Sequence, residues 1–240
     1  MRQSIYIIMD NYPVARDVYR LRLDGPTDAL THAGQFANIR IDGMYLRRPF
    51  SIVDWDSGGF VILYKIVGEG TRKLSNIPIG RTLDVMLGLG NGFDMTVSRA
   101  PLLIGGGVGV PPLYALAKRF AVNNITPTAL LGFASKYDII LADELRGLGC
   151  KVIVTLETDG QRVTDRLDEA AADRDFYYAC GPEGMLRAVK RQCPLPGQLS
   201  LETRMACGVG LCRGCTRETL AGGKRICVDG PVFNKEALAW

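Results

Sequence analysis

Four of the seven cysteines lie close together late in the chain, and their spacing is C-x4-C-x2-C-x11-C. The four are Cys207, Cys212, Cys215 and Cys227. Plant-type [2Fe–2S] sites have this pattern, in which a loop supplies three thiolates and a more distant strand supplies the fourth. Glycines between the first three let backbone N–H groups approach the sulfurs. A four-cysteine zinc site is the alternative, although zinc ribbons usually pair two C-x2-C knuckles.

The other three cysteines, Cys150, Cys180 and Cys193, are scattered. An odd number of cysteines, without an export or lipidation signal, disfavours a disulfide framework and predicts a cytoplasmic protein. His32 is the only histidine, which excludes two-His zinc sites and multi-His metal centres.

A glycine-rich turn joins an apolar strand, Leu102–Ile104, to a helical pattern that begins near Pro111. Such a turn can bring a nucleotide pyrophosphate against backbone N–H groups and a helix N-terminus. The match to G-x-G-x-x-G is incomplete, because Val110 stands where the third glycine belongs, and no acidic residue follows the next strand near Phe133. A turn that only packs the helix closely is therefore the alternative. The candidate nucleotide-binding residues are Gly105, Gly106, Gly107 and Gly109.

Cys180 ends a later strand, Phe176–Cys180, just before a helix. Ligands of a parallel sheet lie at the carboxyl ends of its strands, so Cys180 should share an edge with the glycine-rich turn. Taken as a single residue, it is more typical of a buried core cysteine.

Two polar stretches earlier in the chain could bind phosphate. Arg48 could clamp a phosphate and Ser51 could donate a hydrogen bond to it, while Gly70 and Thr71 could offer backbone N–H groups. The alternative is a solvated charged turn and an ordinary hairpin loop.

The candidate site residues lie in three parts of the chain. The first hundred residues form short runs rich in Ile, Val, Leu, Tyr and Phe between turn residues, which predicts an antiparallel β-barrel or sandwich. From Pro101, strands and helices alternate, which predicts a Rossmann-like α/β domain with a parallel sheet. A Cys- and Gly-rich segment follows Pro196. The predicted domains are 1–98, 99–196 and 197–240.

Composition limits the partners. The chain has 240 residues, 47% of them hydrophobic and 22% charged, which suits a folded protein with a sizeable core. The net charge of +4 is too small to indicate nucleic acid or an anionic membrane. Glycines and prolines interrupt the longest apolar stretch, 101–117, so no membrane span is expected.

Together these segments resemble the ferredoxin–NADP reductase superfamily and, within it, the electron-transfer subunits of NAD-dependent dihydroorotate dehydrogenases. Arg48-Pro49-Phe50-Ser51 is similar to the Arg-x-Tyr-Ser flavin motif, with Phe in place of Tyr. The stretches 200–210 and 227–233 resemble the cluster-binding tail of these subunits. Residues 216–219 are more polar than is typical of the family.

The resemblance implies a role for each matching residue. FAD would be held by Arg48, Pro49, Phe50 and Ser51, lined by Tyr64, Lys65 and Ile66, and bound through its phosphates by Gly70 and Thr71. Cys180 would stand at the contact between flavin and nicotinamide, as the catalytic candidate. The four clustered cysteines would ligate the [2Fe–2S] cluster.

The resemblance also implies a flavoprotein oxidoreductase that transfers electrons between NAD(H), FAD and the cluster. The electrons would run to or from the FMN of a catalytic subunit that oxidises dihydroorotate to orotate in pyrimidine biosynthesis, within a heterotetramer of two plus two subunits. Apolar residues of the cluster loop, Met205, Val209 and Leu211, would face that partner or pack on their own domain. The alternatives are a reductase subunit serving a sulfide- or ferredoxin-linked partner, a redox-sensing binding protein and a zinc-stabilised adaptor. The choice between NADH and NADPH stays open.

Overall fold

Six antiparallel strands close a barrel in the computed structural model, which describes residues 1–240. The strands are β1 (Arg2–Ala15), β2 (Val18–Asp24), β3 (Phe36–Ile39), β4 (Arg48–Trp55), β5 (Gly59–Lys65) and β6 (Thr82–Leu89), in the order β1-β2-β5-β4-β3-β6. Alternate residues of β6 are buried, as expected for strands with one face on a core. The interior includes Tyr6, Leu21, Ile39 and Ile62.

A six-stranded sheet forms the second part, in the order β14-β11-β10-β7-β8-β9. Its strands are β7 (Pro101–Gly106), β8 (Thr128–Phe133), β9 (Lys151–Leu156), β10 (Phe176–Cys180), β11 (Gly197–Ser200) and β14 (Val232–Asn234). All neighbours are parallel except β14, which runs antiparallel to β11. Together with the closed barrel, this sheet confirms the predicted fold class.

The helices of the α/β part are α2 (Val110–Val122), α3 (Ala142–Gly147), α4 (Leu167–Ala171) and α5 (Glu183–Gln192). Helix α2 buries Leu113, Leu116 and Phe120, which lie on one face of the helix. Helices α3 and α4 are short, because Leu141 adopts a left-handed φ of 59° before α3 and a 3₁₀ turn, Val163–Arg166, precedes α4. None of the helices combines the length and the apolar composition that a membrane span needs.

The last segment is tied to the sheet as well as to its cysteines. Strands β11 and β14 extend the α/β sheet, while β12 (Thr216–Thr219) and β13 (Gly222–Arg225) form a separate hairpin. The side chain of Asn91, just beyond the barrel, donates to the Val232 carbonyl at 2.8 Å and accepts from the Val232 N–H at 3.0 Å. The cluster segment is thereby fixed against both other parts.

A short helix, α1 (Glu69–Ser75), occurs at the stretch for which the sequence left open a phosphate-binding turn or an ordinary hairpin loop. The Thr71 hydroxyl accepts hydrogen bonds from the N–H groups of Val67 at 3.0 Å and Gly68 at 3.3 Å. This side chain closes the first turn of a sequence that has little helical periodicity.

Asp138 holds the barrel and the α/β part together. Arg16 Nε donates to Asp138 Oδ1 at 3.2 Å, and Lys65 Nζ lies 3.6 Å from the same oxygen. Burial opposes ionisation of this carboxyl, but hydrogen bonds from Ser135 and Arg16 lower its pKa below the ordinary value. The charged form therefore persists in the junction.

Candidate functional site

A cavity of about 340 Å³ opens between the barrel and the carboxyl end of the sheet. Seven of the nine predicted flavin residues line it: Arg48, Pro49, Phe50, Ser51, Tyr64, Lys65 and Thr71. Strands β4 and β5 and helix α1 bring these residues together. The other two, Ile66 and Gly70, do not line the cavity.

Two aromatic side chains form part of the barrel wall. The rings of Phe50 and Tyr64 lie 5.7 Å apart between centroids, at an angle of 59°. The Tyr64 hydroxyl donates to Asn11 Oδ1 at 2.9 Å, and burial raises the pKa of this phenol. The phenol is therefore neutral and fixed. The buried Tyr64 ring packs against the partly buried Phe50 ring, which offers an apolar surface for a planar ligand.

Arg48 is the free cation of this cavity. Its Nη1 donates to the Leu46 carbonyl at 2.6 Å, and the guanidinium pairs with no carboxylate, whereas the adjacent Arg47 pairs with Asp84 at 2.7 Å. A Cβ on Gly70 would lie 2.9 Å from Arg48 Nε, so this glycine makes room for the guanidinium. An unpaired guanidinium in a cleft suits a phosphate.

The third wall of the cavity comes from the glycine-rich turn and the last segment, and the sequence reasoning missed it. Its residues are Val108, Ser200, Leu201, Glu202, Thr203, Met205 and Pro231. Those at 200–205 end or follow β11. The signal that could have found them is their position at the carboxyl end of a parallel strand, where ligands bind.

A second cavity, of about 600 Å³, lies at the carboxyl ends of β7, β8 and β9. Gly106 and Gly107 line it, but Gly105 and Gly109 do not. A Cβ on Gly109 would fall 2.4 Å from the Cys180 carbonyl oxygen, and one on Gly105 would fall 2.8 Å from Val110 Cγ2. Both glycines thus lie where α2 packs closely against its neighbours, and their role in nucleotide binding stays a prediction.

Charged groups of the second cavity also escaped the sequence reasoning. Glu157 follows β9, the third strand of the α/β part, whereas the acidic residue was sought after the second. Arg162 and Arg191 line the same cavity. A carboxylate can accept hydrogen bonds from a ribose diol, and arginines can bind phosphates, so the wall suits a nucleotide.

Cys180 is 1% exposed and lines neither cavity. It pairs in register with Gly105 across β10 and β7, on the expected edge of the sheet. Burial raises the pKa of its thiol, which is therefore neutral. The placement of Cys180 at a flavin–nicotinamide contact stays a prediction. As a neutral, buried thiol, Cys180 would act there through the shape of its side chain.

The four clustered cysteines gather as two pairs. The Cys215 and Cys227 sulfurs are 3.3 Å apart, and Cys207 Sγ accepts a hydrogen bond from the Cys212 N–H at 3.4 Å. Two irons need two thiolates each, whereas one zinc needs all four around it. The arrangement fits the two-iron cluster better.

Backbone N–H groups already point at these sulfurs. Val209 N–H donates to Cys207 Sγ at 3.4 Å, and Gly210 N–H donates to Cys227 Sγ at 3.2 Å. Burial opposes ionisation of Cys207, but the N–H groups of Cys212 and Val209 lower its pKa to about 7. Burial and the neighbouring Cys215 raise the pKa of Cys227. The Cys207 thiol therefore ionises more readily than the Cys227 thiol.

The apolar residues of the cluster loop have two environments. Met205 and Val209 pack against the core of their own chain. Leu211 is 85% exposed. Of the three residues considered for partner contact, only Leu211 presents its side chain to solvent as a large apolar group.

Comparisons with known proteins agree with this geometry. Residues 202–239 match the model of the iron-sulfur cluster binding domain of dihydroorotate dehydrogenase B, and residues 103–191 match that of the oxidoreductase NAD-binding domain. The "dihydroorotate dehydrogenase B (NAD(+)), electron transfer subunit" of Fusobacterium nucleatum subsp. nucleatum is 40% identical over 94% of both chains. The protein of the same name from Listeria monocytogenes is 37% identical over the full length of both chains.

Solved structures show the same architecture. A chain from the NADH-dependent reduced ferredoxin-NADP oxidoreductase superposes with a TM-score of 0.87 at 31% identity, covering 99% of this chain and 90% of that one. Phthalate dioxygenase reductase superposes with a TM-score of 0.67 at 17% identity, covering 79% of this chain and 64% of that one, and shares the fold.

Proposed function

The chain belongs to the family of electron transfer subunits of NAD(+)-dependent dihydroorotate dehydrogenase B, and from this premise we propose how its sites work in series. Lys65 lines both the nucleotide cavity and the flavin cavity, and Met205, which precedes the cluster ligands, lines the flavin cavity. This succession of adjoining sites is the observation that carries the proposal. Electrons pass between NAD(H), FAD, the [2Fe–2S] cluster and the FMN of a catalytic subunit.

Bound FAD exchanges a hydride with nicotinamide and single electrons with the cluster, and the protein supplies placement. Phe50 and Tyr64 hold the flavin ring, and Arg48 binds its pyrophosphate. Glu157 accepts hydrogen bonds from the adenosine ribose and repels a 2′-phosphate, which favours NADH over NADPH. Cys207, Cys212, Cys215 and Cys227 ligate the cluster. The predicted domains 1–98, 99–196 and 197–240 carry these three functions.

We propose that the partner is the catalytic subunit implied by the relatives' name of electron transfer subunit, in a heterotetramer of two copies of each chain. The exposed Leu211 next to Cys212 supports docking on the face that carries the cluster. None of the seven cysteines forms a disulfide, which supports a reducing, cytoplasmic location.

The visible spectrum of anaerobically purified protein tests this function. Flavin bands and broad iron–sulfur absorption should appear and should both bleach with NADH. Orotate should reoxidise the protein only when the catalytic subunit is present. A colourless protein with about one zinc per chain would contradict the redox function, because four thiolates can also bind zinc.

A second candidate shares the chemistry but has a different partner. The chain is 31% identical over 99% of its length to a chain of the NADH-dependent reduced ferredoxin-NADP oxidoreductase. A coloured, NADH-reducible protein that ignores orotate with the catalytic subunit present, and exchanges electrons with ferredoxin, would favour this alternative.

Replacing Leu211 with glutamate should weaken binding of the catalytic subunit by at least about tenfold, because an unpaired carboxylate would be buried at the interface. Titration calorimetry with the cluster-loaded protein measures the effect. Val122→Glu is the matched control, since Val122 is 82% exposed at the end of α2, in the α/β part. Equal affinity of the Leu211 variant and the wild type would remove Leu211 from the interface.

A further inference from the structure

Asn38 is a fully buried side chain whose hydrogen-bonding groups are unused. It is 0% exposed, and neither Nδ2 nor Oδ1 has a hydrogen-bond partner. The only other buried side-chain polar atom without a partner is the Tyr177 hydroxyl oxygen. Buried amides in folded proteins nearly always have partners, because burial without them costs free energy. Asn38 therefore needs an explanation.

The position of Asn38 relates it to both cofactor sites. It lies on β3 directly opposite Pro49 of β4, and directly opposite residues of paired strands point to the same face of the sheet. Phe36 and Pro49, which line the flavin cavity, belong to that face. Asn38 Nδ2 would lie 2.5 Å from a Cβ built on Gly208. The carboxamide therefore lies against the cluster loop, on a strand face that it shares with residues of the flavin cavity.

The cluster loop offers a partner for this amide. Gly208 follows Cys207 and has a φ of +72°, and its missing side chain is what lets the loop lie against Asn38. Backbone N–H groups of the same loop already donate to cysteine sulfurs. Sulfurs of iron–sulfur clusters accept such bonds, and the bonds shift the reduction potential.

We propose that Asn38 is a positioning residue for the cluster, and that its Nδ2–H donates a hydrogen bond to a sulfur on the Cys207 side of the loaded site. The inference rests on the [2Fe–2S] cluster of the proposed function. A hydrogen bond to sulfur stabilises the more negative, reduced cluster and so raises its reduction potential. Asn38, on strand β3 beside the flavin cavity, thereby adjusts the reduction potential of the cluster, which accepts electrons from the flavin.

An EPR-monitored redox titration of the cluster-loaded protein tests the proposal with Asn38→Leu and Asn38→Asp. Leucine keeps the approximate volume without a donor. Aspartate keeps the shape, and its ionised carboxylate has no donor and adds a negative charge, which lowers the potential further. In both variants the equilibrium constant for cluster reduction should fall by about tenfold, which equals 59 mV for one electron. Unshifted potentials in both variants would overturn the proposal.

Thermal melting of the cluster-free chain separates this role from a structural one. Asn38→Leu should melt no lower than the wild type, because it removes an unpartnered buried amide. A variant that melts normally but no longer retains the cluster also supports the proposal. If instead the variants melt lower without a shift in potential, Asn38 serves packing alone and the proposal fails.

Asn91→Leu is the matched control. Asn91 also joins the barrel part to the last segment, but both of its side-chain polar atoms have partners on Val232. Its replacement should lower the melting temperature and leave the potential unchanged. An equal shift of potential in this control would overturn the specific role of Asn38. A wild-type protein without a [2Fe–2S] signal would instead overturn the proposed function, and this inference with it.

Discussion

Replacing Cys212 with alanine is expected to abolish the [2Fe–2S] cluster and to lower the rate of electron transfer to the partner's FMN by at least about hundredfold. This loss exceeds the usual effect of removing a residue that only hydrogen-bonds a metal ligand. Cys212 is exposed, so its loss changes packing little, and the effect must come from the missing ligand. NADH should still reduce FAD, because neither the flavin cavity nor the nucleotide cavity includes Cys212. EPR of the dithionite-reduced protein measures the cluster. Stopped-flow bleaching of the flavin by NADH measures the reduction of FAD.

Cys150→Ala provides the control for this prediction. Cys150 is buried in the α/β part, and burial raises its pKa to about 11, so its thiol is neutral and structural. This variant removes a better-packed sulfur than Cys212→Ala does, yet it should keep the cluster and the full rate of electron transfer. Retention of the EPR signal in Cys212→Ala, or its loss in Cys150→Ala, would contradict the assignment of the ligands.

The cysteine spacing predicted the cluster because ligation of this kind is local in sequence. Three ligands lie within one loop, and the fourth follows a short hairpin. The flavin motif was informative for a similar reason, since Arg48 and Ser51 stand on one strand and Tyr64 on its neighbour. Alternating strands and helices also predicted the parallel sheet, because burial on both faces leaves continuous apolar strands such as β7.

Other parts of the sites depend on contacts between distant segments, which periodicity does not report. The third flavin wall exists because β11 joins the α/β sheet, and its four residues carry little strand signal. Glu157 is a candidate for binding the ribose only because the strand order places β9 at the edge of the nucleotide cavity. Asn38 looks like an ordinary strand residue until Gly208 is found against it.

The glycine-rich turn shows the same limit of prediction from sequence. All four glycines of the turn are candidates for nucleotide binding. Gly106 and Gly107 line the nucleotide cavity, whereas Gly105 and Gly109 lie where α2 packs closely, and their role in binding stays a prediction. A one-dimensional pattern cannot distinguish a glycine that admits a ligand from one that admits a neighbouring backbone. The difference lies in what a Cβ would meet.

The second large effect concerns Arg48. Replacing Arg48 with alanine should weaken FAD binding by about 10- to 100-fold, because hydrogen bonds to charged groups contribute about 1.5–3 kcal/mol. The guanidinium lines the flavin cavity and has no carboxylate partner, so its charge is available to the pyrophosphate. Fluorescence titration of the flavin-free chain with FAD measures the affinity, and the purified variant should contain less flavin.

Arg47→Ala is a demanding control, because Arg47 is the neighbouring residue and has the same charge. Its guanidinium pairs with Asp84 at 2.7 Å and donates to the Asp84 carbonyl at 2.9 Å, away from the flavin cavity. Its loss should therefore lower the melting temperature, since a half-buried carboxylate loses its partner, and leave FAD affinity unchanged. If both variants lost FAD equally, general destabilisation of the β3–β4 region would account for the result. Arg48 would then not bind the phosphates, and the backbone of α1 would be assigned that role. If only Arg48→Ala loses FAD, the two adjacent arginines divide into one that binds the cofactor and one that stabilises the barrel.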